Sequence, residues 1–187
     1  MLTLVLLPLL TTSMQAAPAA SQPPPQPFDC TAPEYRQFDF WVGEWDLVPN
    51  PDTRPANAPP RPANARPMTN VVQKAHDGCV IIENFDDHRG GTGQSFNIFD
   101  RVKRQWHQTY VDNGGGLHFY WGEFKDGKMV LVGDVPTGPA QPLAGRRTLR
   151  VTFIPLGPDR LRQYAEQLRQ DGTWTLGYDF IYTRKVK

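Results

Sequence analysis

Ten short segments of strand-like composition follow one another along this chain, and no window of helical length carries an apolar period near 3.6 residues. The segments are read at 40–48, 69–75, 79–85, 94–100, 105–111, 116–124, 128–135, 148–156, 160–168 and 173–184. Turn chemistry separates them: Asp77-Gly78, Arg89 to Gly93, Asp112 to Gly115, Asp126-Gly127, Gly157-Pro158-Asp159 and Asp171-Gly172. With no helices to cover a flat sheet, ten tightly connected antiparallel strands predict a closed up-and-down barrel, because closure removes exposed edges. A two-layer sandwich is the alternative arrangement.

Proline and glycine are distributed unevenly. Fourteen of the 19 prolines lie at or before Pro67, whereas all but one of the 16 glycines lie after His76. Proline lacks the backbone donor that a strand ladder needs, so 20–29 is read as a linker and 49–67 as a long surface loop. Before the linker, residues 1–19 hold an apolar run from Leu2 to Leu10 and end in Ala17-Pro18-Ala19. That run is too short for a bilayer and fits an export signal, although no Lys or Arg precedes it. The domain is then expected over 30–187, in the periplasm or secreted. Thr31 and Glu34 have the spacing of a capping box, with Pro33 suited to a first turn, so one short helix is predicted there.

Two cysteines in an exported chain, Cys30 and Cys79, point to one disulfide. Formal net charge is +1, and the lysines and arginines are scattered without a basic stripe, which argues against nucleic acid. No membrane span is expected, and the sequence says nothing of oligomeric state.

The most informative segment is Phe38-Asp39-Phe40-Trp41-Val42-Gly43-Glu44-Trp45. Gly43-x-Trp45 at the start of a first strand, after a short helix, resembles the GxW of lipocalins and their calycin relatives. That resemblance implies that Trp45 plugs one barrel end and that Arg184, at the end of the last strand, packs over its indole; both are read as structural. More narrowly, the chain resembles an uncharacterised, mainly bacterial family of exported lipocalin-like barrels opening with FDFW-x-GEW. The likeness continues through Asp77-Gly78-Cys79, Glu83-Asn84, Ser95-x-Asn97-x-x-Asp100, Trp106-His107-Gln108-Thr109, Val111-Asp112-Asn113 and Asp171-Gly172-Thr173-Trp174. It departs at the long loop 49–67. The likeness implies a fold and carries no activity.

Four histidines occur, His76, His88, His107 and His118. If Asp112 to Gly115 form the hairpin turn, His107 and His118 share one face. Two imidazoles make half a zinc site, and no third ligand stands at readable spacing; neither metal nor cofactor is expected. The opposite face would then carry Trp106, Gln108, Tyr110, Phe119 and Trp121. Aromatics with a buried amide among them read equally as core filling or as the wall of a small-molecule pocket. Asn97 and Gln163 are candidate polar anchors, and Glu83 a carboxylate whose pKa burial would raise.

Two functions follow. One is a binding protein for a small apolar or aromatic ligand. The other is a cofactor-free cyclase, isomerase or lyase in the same barrel, with Glu83 or Glu166 as acid or base and His107 or Asp112 assisting. A docking role for the proline-rich loop ranks behind both.

Overall fold

The computed structural model describes residues 29–62, 64–136 and 146–186. The expected export segment 1–19 lies outside them, as does the linker apart from Asp29. The ten strands are β1 (Gly43–Pro49), β2 (Met68–Ala75), β3 (Val80–Asp86), β4 (Thr92–Asp100), β5 (Gln105–Asp112), β6 (Leu117–Lys125), β7 (Lys128–Pro136), β8 (Arg146–Pro155), β9 (Arg160–Leu168) and β10 (Trp174–Arg184). Each pairs antiparallel with its sequence neighbours, and β1 pairs with β10, so the sheet closes on itself as a lipocalin-like up-and-down barrel. The sandwich alternative is thereby excluded.

The first predicted strand begins three residues late. Asp39–Trp41 winds into a 3-10 turn and follows a similar turn at Pro33–Arg36. The expected capping box does not form: Ala32 precedes the first turn, and the Thr31 backbone N–H bonds to Asp29 instead. These two turns lay Phe38 and Trp41 across one barrel mouth, where their rings stack at 4.8 Å and Phe153 approaches Phe38 at 5.0 Å. Trp45 enters from β1 and donates its indole N–H to the Trp41 carbonyl at 2.8 Å. The result is a fully buried aromatic floor.

Arg184 seals that floor. Its guanidinium lies 4.1 Å from the Trp45 ring centre and donates to the Val42 carbonyl at 2.9 Å. Gly43 makes room for it, since a Cβ at that position would overlap Arg184 Nη1. A disulfide joins Cys30 to Cys79 and so ties the floor-forming segment to the barrel beside the start of β3. The proline-rich loop is largely exposed, as expected, but Asn50 at its start is buried and donates to Asp179 at 3.0 Å.

Candidate functional site

Strand alternation carries one set of side chains inward on every strand. Nearest the floor these are large and apolar: Trp45, Ile81, Phe99, Trp106, Met129, Phe153 and Leu161. One layer further from the floor the inward positions turn polar, with Asn70, Glu83, Ser95, Asn97 and Gln108 all buried. A buried polar group costs stability unless it is paired, and these pair with one another. The Asn70 amide donates to Glu83 Oε1 at 2.6 Å, and the Ser95 hydroxyl donates to Glu83 Oε2 at 2.7 Å. Asn97 donates to Ser95 at 2.9 Å and Gln108 to Asn97 at 2.8 Å. Across the barrel, the Tyr182 hydroxyl donates to Gln163 Oε1, and the Gln163 amide reaches the Tyr178 hydroxyl at 3.4 Å. Asn70 joins the two arcs through a 3.4 Å contact to the Tyr182 hydroxyl.

Beyond this belt, on the side away from the floor, the interior is open. A cavity of about 220 Å3 is walled by Leu47, Phe85, Leu149, Val151 and Phe180, with Glu83, Gln108 and Gln163 at its base. Four phenols, Tyr110, Tyr120, Tyr178 and Tyr182, also line it, together with His118 and Arg147. Burial is the leading influence on the titration of Glu83, the four phenols and His118. It raises the Glu83 pKa, opposed in part by the hydrogen bonds from Ser95 and Asn70. It pushes Tyr120 up to about 12 and raises Tyr110, Tyr178 and Tyr182 as well. It lowers the pKa of His118, with the positive charge of Arg147 adding to the effect and Asp112 opposing it. The cavity at neutral pH is therefore lined by neutral phenols and a neutral imidazole.

Two buried polar atoms here have no partner among the described residues: Asn70 Oδ1 and Arg147 Nε. The first has a ready explanation. A protonated Glu83 can donate to Asn70 Oδ1 if the amide is turned over, and 2.6 Å suits an O–H donor. The Arg147 atom has no such solution among the described residues.

The structure redistributes the sequence-predicted residues. Glu83, Gln108, Tyr110 and Gln163 meet at the cavity, and Asn97 supports Gln108 from below. Trp106 does not line it. Its ring belongs to the floor, packed against Phe38 and Phe99, and its N–H donates to Gln37 at 3.1 Å.

The expected face of the β5–β6 hairpin is corrected by one residue. The Asp112 N–H bonds to the Gly116 carbonyl, so three residues form the loop, with Gly115 at φ +81°. Tyr110 rather than Thr109 faces His118. A one-residue slip turns every side chain of the second strand over. Phe119 and Trp121 consequently stand on the outer wall, and His118 and Tyr120 take their places inside. Phe119 is 43% exposed, near the similarly exposed Phe96, Ile98 and Leu117.

His107 is on the outer wall too, its ring 3.9 Å from that of Trp121 and its Nε2 2.9 Å from the Thr109 hydroxyl. Glu166 is outside as well, paired with Arg150 at 2.8 Å. Asp112 holds its own hairpin, accepting from the Gly114 and Gly116 N–H groups at 2.9 Å. None of His107, Glu166 and Asp112 lines the cavity with Glu83. Among the described residues no group of three His, Cys, Asp or Glu side chains is placed to hold a metal.

Sequence reading missed Asn70, Ser95, Tyr120, Tyr178, Tyr182 and above all Arg147. Period-2 alternation run backwards from Phe153 through Val151 and Leu149 reaches Arg147 on the inner face, and that signal was available. Compared with known proteins, the chain matches no family model and no curated sequence.

Proposed function

We propose that this protein is an exported binding protein that takes one small apolar or aromatic molecule into its barrel. The observation that carries the reading is the internal cavity of about 220 Å3, walled by aliphatic and aromatic side chains over a belt of polar groups. Aromatic walls with a few fixed polar groups are the usual composition of a small-molecule pocket. The volume suits a ligand of one or two rings. Export is supported by the Cys30–Cys79 disulfide, a bond that persists outside the reducing cytoplasm, by the apolar start of the chain, and by the resemblance of its FDFW-x-GEW opening to an exported lipocalin-like family.

The second reading is a cofactor-free cyclase, isomerase or lyase with Glu83 as acid. Its support is the raised pKa of Glu83 at the cavity base. It ranks behind binding because both Glu83 oxygens are already engaged and because His107, Asp112 and Glu166 stand away from the cavity.

Native mass spectrometry of the protein isolated from its own host tests the reading, with Leu149→Trp as the blocked-cavity control. The wild type is expected to carry a small-molecule adduct, or to take up added 2-naphthol, and the equally folded variant to do neither. A wild type that holds no adduct and takes up no 2-naphthol contradicts it.

A further inference from the structure

Among the described residues that line the cavity, Arg147 is the one cationic side chain, and no described carboxylate pairs with it. Arg147 lies on the inner face of β8, two residues nearer the open end than Leu149, and lines the cavity with His118 and Tyr120. A guanidinium is a cation that offers only donors, set in a planar fork. Arg150, further along the same strand, pairs with Glu166, Arg162 pairs with Asp179 and Arg184 with Asp159, while Arg160 is exposed to water. Arg147 makes no ion pair among the described residues, and its Nε is buried without an acceptor.

Leaving a guanidinium N–H buried and unpaired costs free energy, which a bound acceptor would recover. The described groups nearby do not supply one. Tyr110, Tyr120 and His118 are neutral for the reasons given above. The Asp112 carboxylate, whose charge reaches His118 and Tyr110, is occupied by the backbone N–H groups of its own turn. Glu83, at the cavity base, is hydrogen-bonded within the belt.

We infer that the ligand is an aromatic or apolar monoanion whose carboxylate docks on Arg147 beside His118 and Tyr120, with its ring system against Leu47, Phe85, Leu149 and Phe180. This rests on the binding reading above and adds the charge of the ligand to it. A planar carboxylate matches the guanidinium fork. One cation among the described lining residues balances one negative charge, so a dianion would enter with a charge left bare. The neutral phenols and the Gln163 amide serve as donors and acceptors for the remainder of the molecule.

The test compares 2-naphthoate with 2-naphthamide, which share a shape and differ in charge, by isothermal titration at pH 7. The wild type is expected to bind the carboxylate at least tenfold more tightly. In Arg147→Met, checked for an unchanged circular dichroism spectrum, that preference is expected to vanish while naphthamide affinity moves less than twofold. The wild-type comparison stands by itself if the variant does not fold. Equal affinities in the wild type, tighter binding of the amide, or a preference that survives in Arg147→Met would overturn the inference and leave the cavity reading intact. Failure of both compounds to bind would overturn the two together.

Discussion

Arg184 and Trp45 stand directly opposite each other across the seam where the last strand meets the first, and the guanidinium of one lies 4.1 Å from the ring centre of the other. The contact therefore closes the barrel and caps its floor at once. Arg184→Met removes the cation–π contact and the hydrogen bond to Val42, and is expected to cost about 2 kcal/mol of stability. Gly43→Ala is expected to cost at least as much by driving a methyl into the same guanidinium. Urea unfolding midpoints measure both; values within about 0.5 kcal/mol of wild type would show that the seam holds without this pair.

The disulfide gives a second stability prediction. Cys30 and Cys79 are 49 residues apart, and cross-linking them removes unfolded-chain entropy worth about 4 kcal/mol in the loop-closure treatment. Reduction, or the double Cys→Ser variant, is expected to lower the melting temperature by many degrees and to loosen the 3-10 turns over the floor first. Hydrogen exchange at Tyr35 to Trp41 reports that loosening. Unchanged exchange there would mean that the aromatic stack alone holds the cap.

Much of this architecture was readable in the residues. The turn dipeptides fixed the number of strands and most of their ends, because each turn needs a residue type the strands avoid. Gly43-x-Trp45 and Arg184 pointed to the sealed floor, and Glu83 stood out as a carboxylate within an otherwise apolar strand. The hairpin after β5 was not readable: Asp112 to Gly116 offers three consecutive glycines, and any of them can adopt the left-handed conformation that sets the register. That single ambiguity sent Phe119 and Trp121 inward on paper and hid Tyr120 and His118. Arg147 escaped for another reason, since an arginine at a strand end is ordinarily read as facing water.

The corrected register separates two tryptophans that the sequence had grouped. Trp106→Ala opens a hole in the floor and is expected to destabilise the protein by about 3–5 kcal/mol. Trp121→Ala removes a ring from the outer wall and is expected to cost less than about 1 kcal/mol, with ligand affinity unchanged. A loss of binding in Trp121→Ala without loss of fold would move the site to the outside of the barrel.

Glu83 predicts a pH dependence of stability. Burial raises its pKa above the ordinary 4.5, so the folded protein keeps a proton that the unfolded chain releases as the pH passes that value. The stabilising contribution is complete below pH 4.5 and drains away as the pH climbs toward the folded value. Glu83→Gln has no proton to lose. Relative to this variant, the wild type should become less stable as pH rises from 4 to 8, as read from paired urea midpoints; a wild type that gains on the variant over that range contradicts the assignment. Subtracting the two curves also removes the opposite slope expected from His107 and His118, whose lowered values favour the folded state as pH rises.

The central claim is that a ligand enters the barrel rather than resting on the apolar outer wall. Methyl-labelled NMR decides it, because Leu47, Leu149 and Val151 face the cavity while Ile98, Leu117 and Val132 face outward. On titration with 2-naphthol the account predicts saturable shifts of the three inner residues with the outer three unmoved. Shifts of Ile98, Leu117 and Val132 with Leu47, Leu149 and Val151 silent would contradict it.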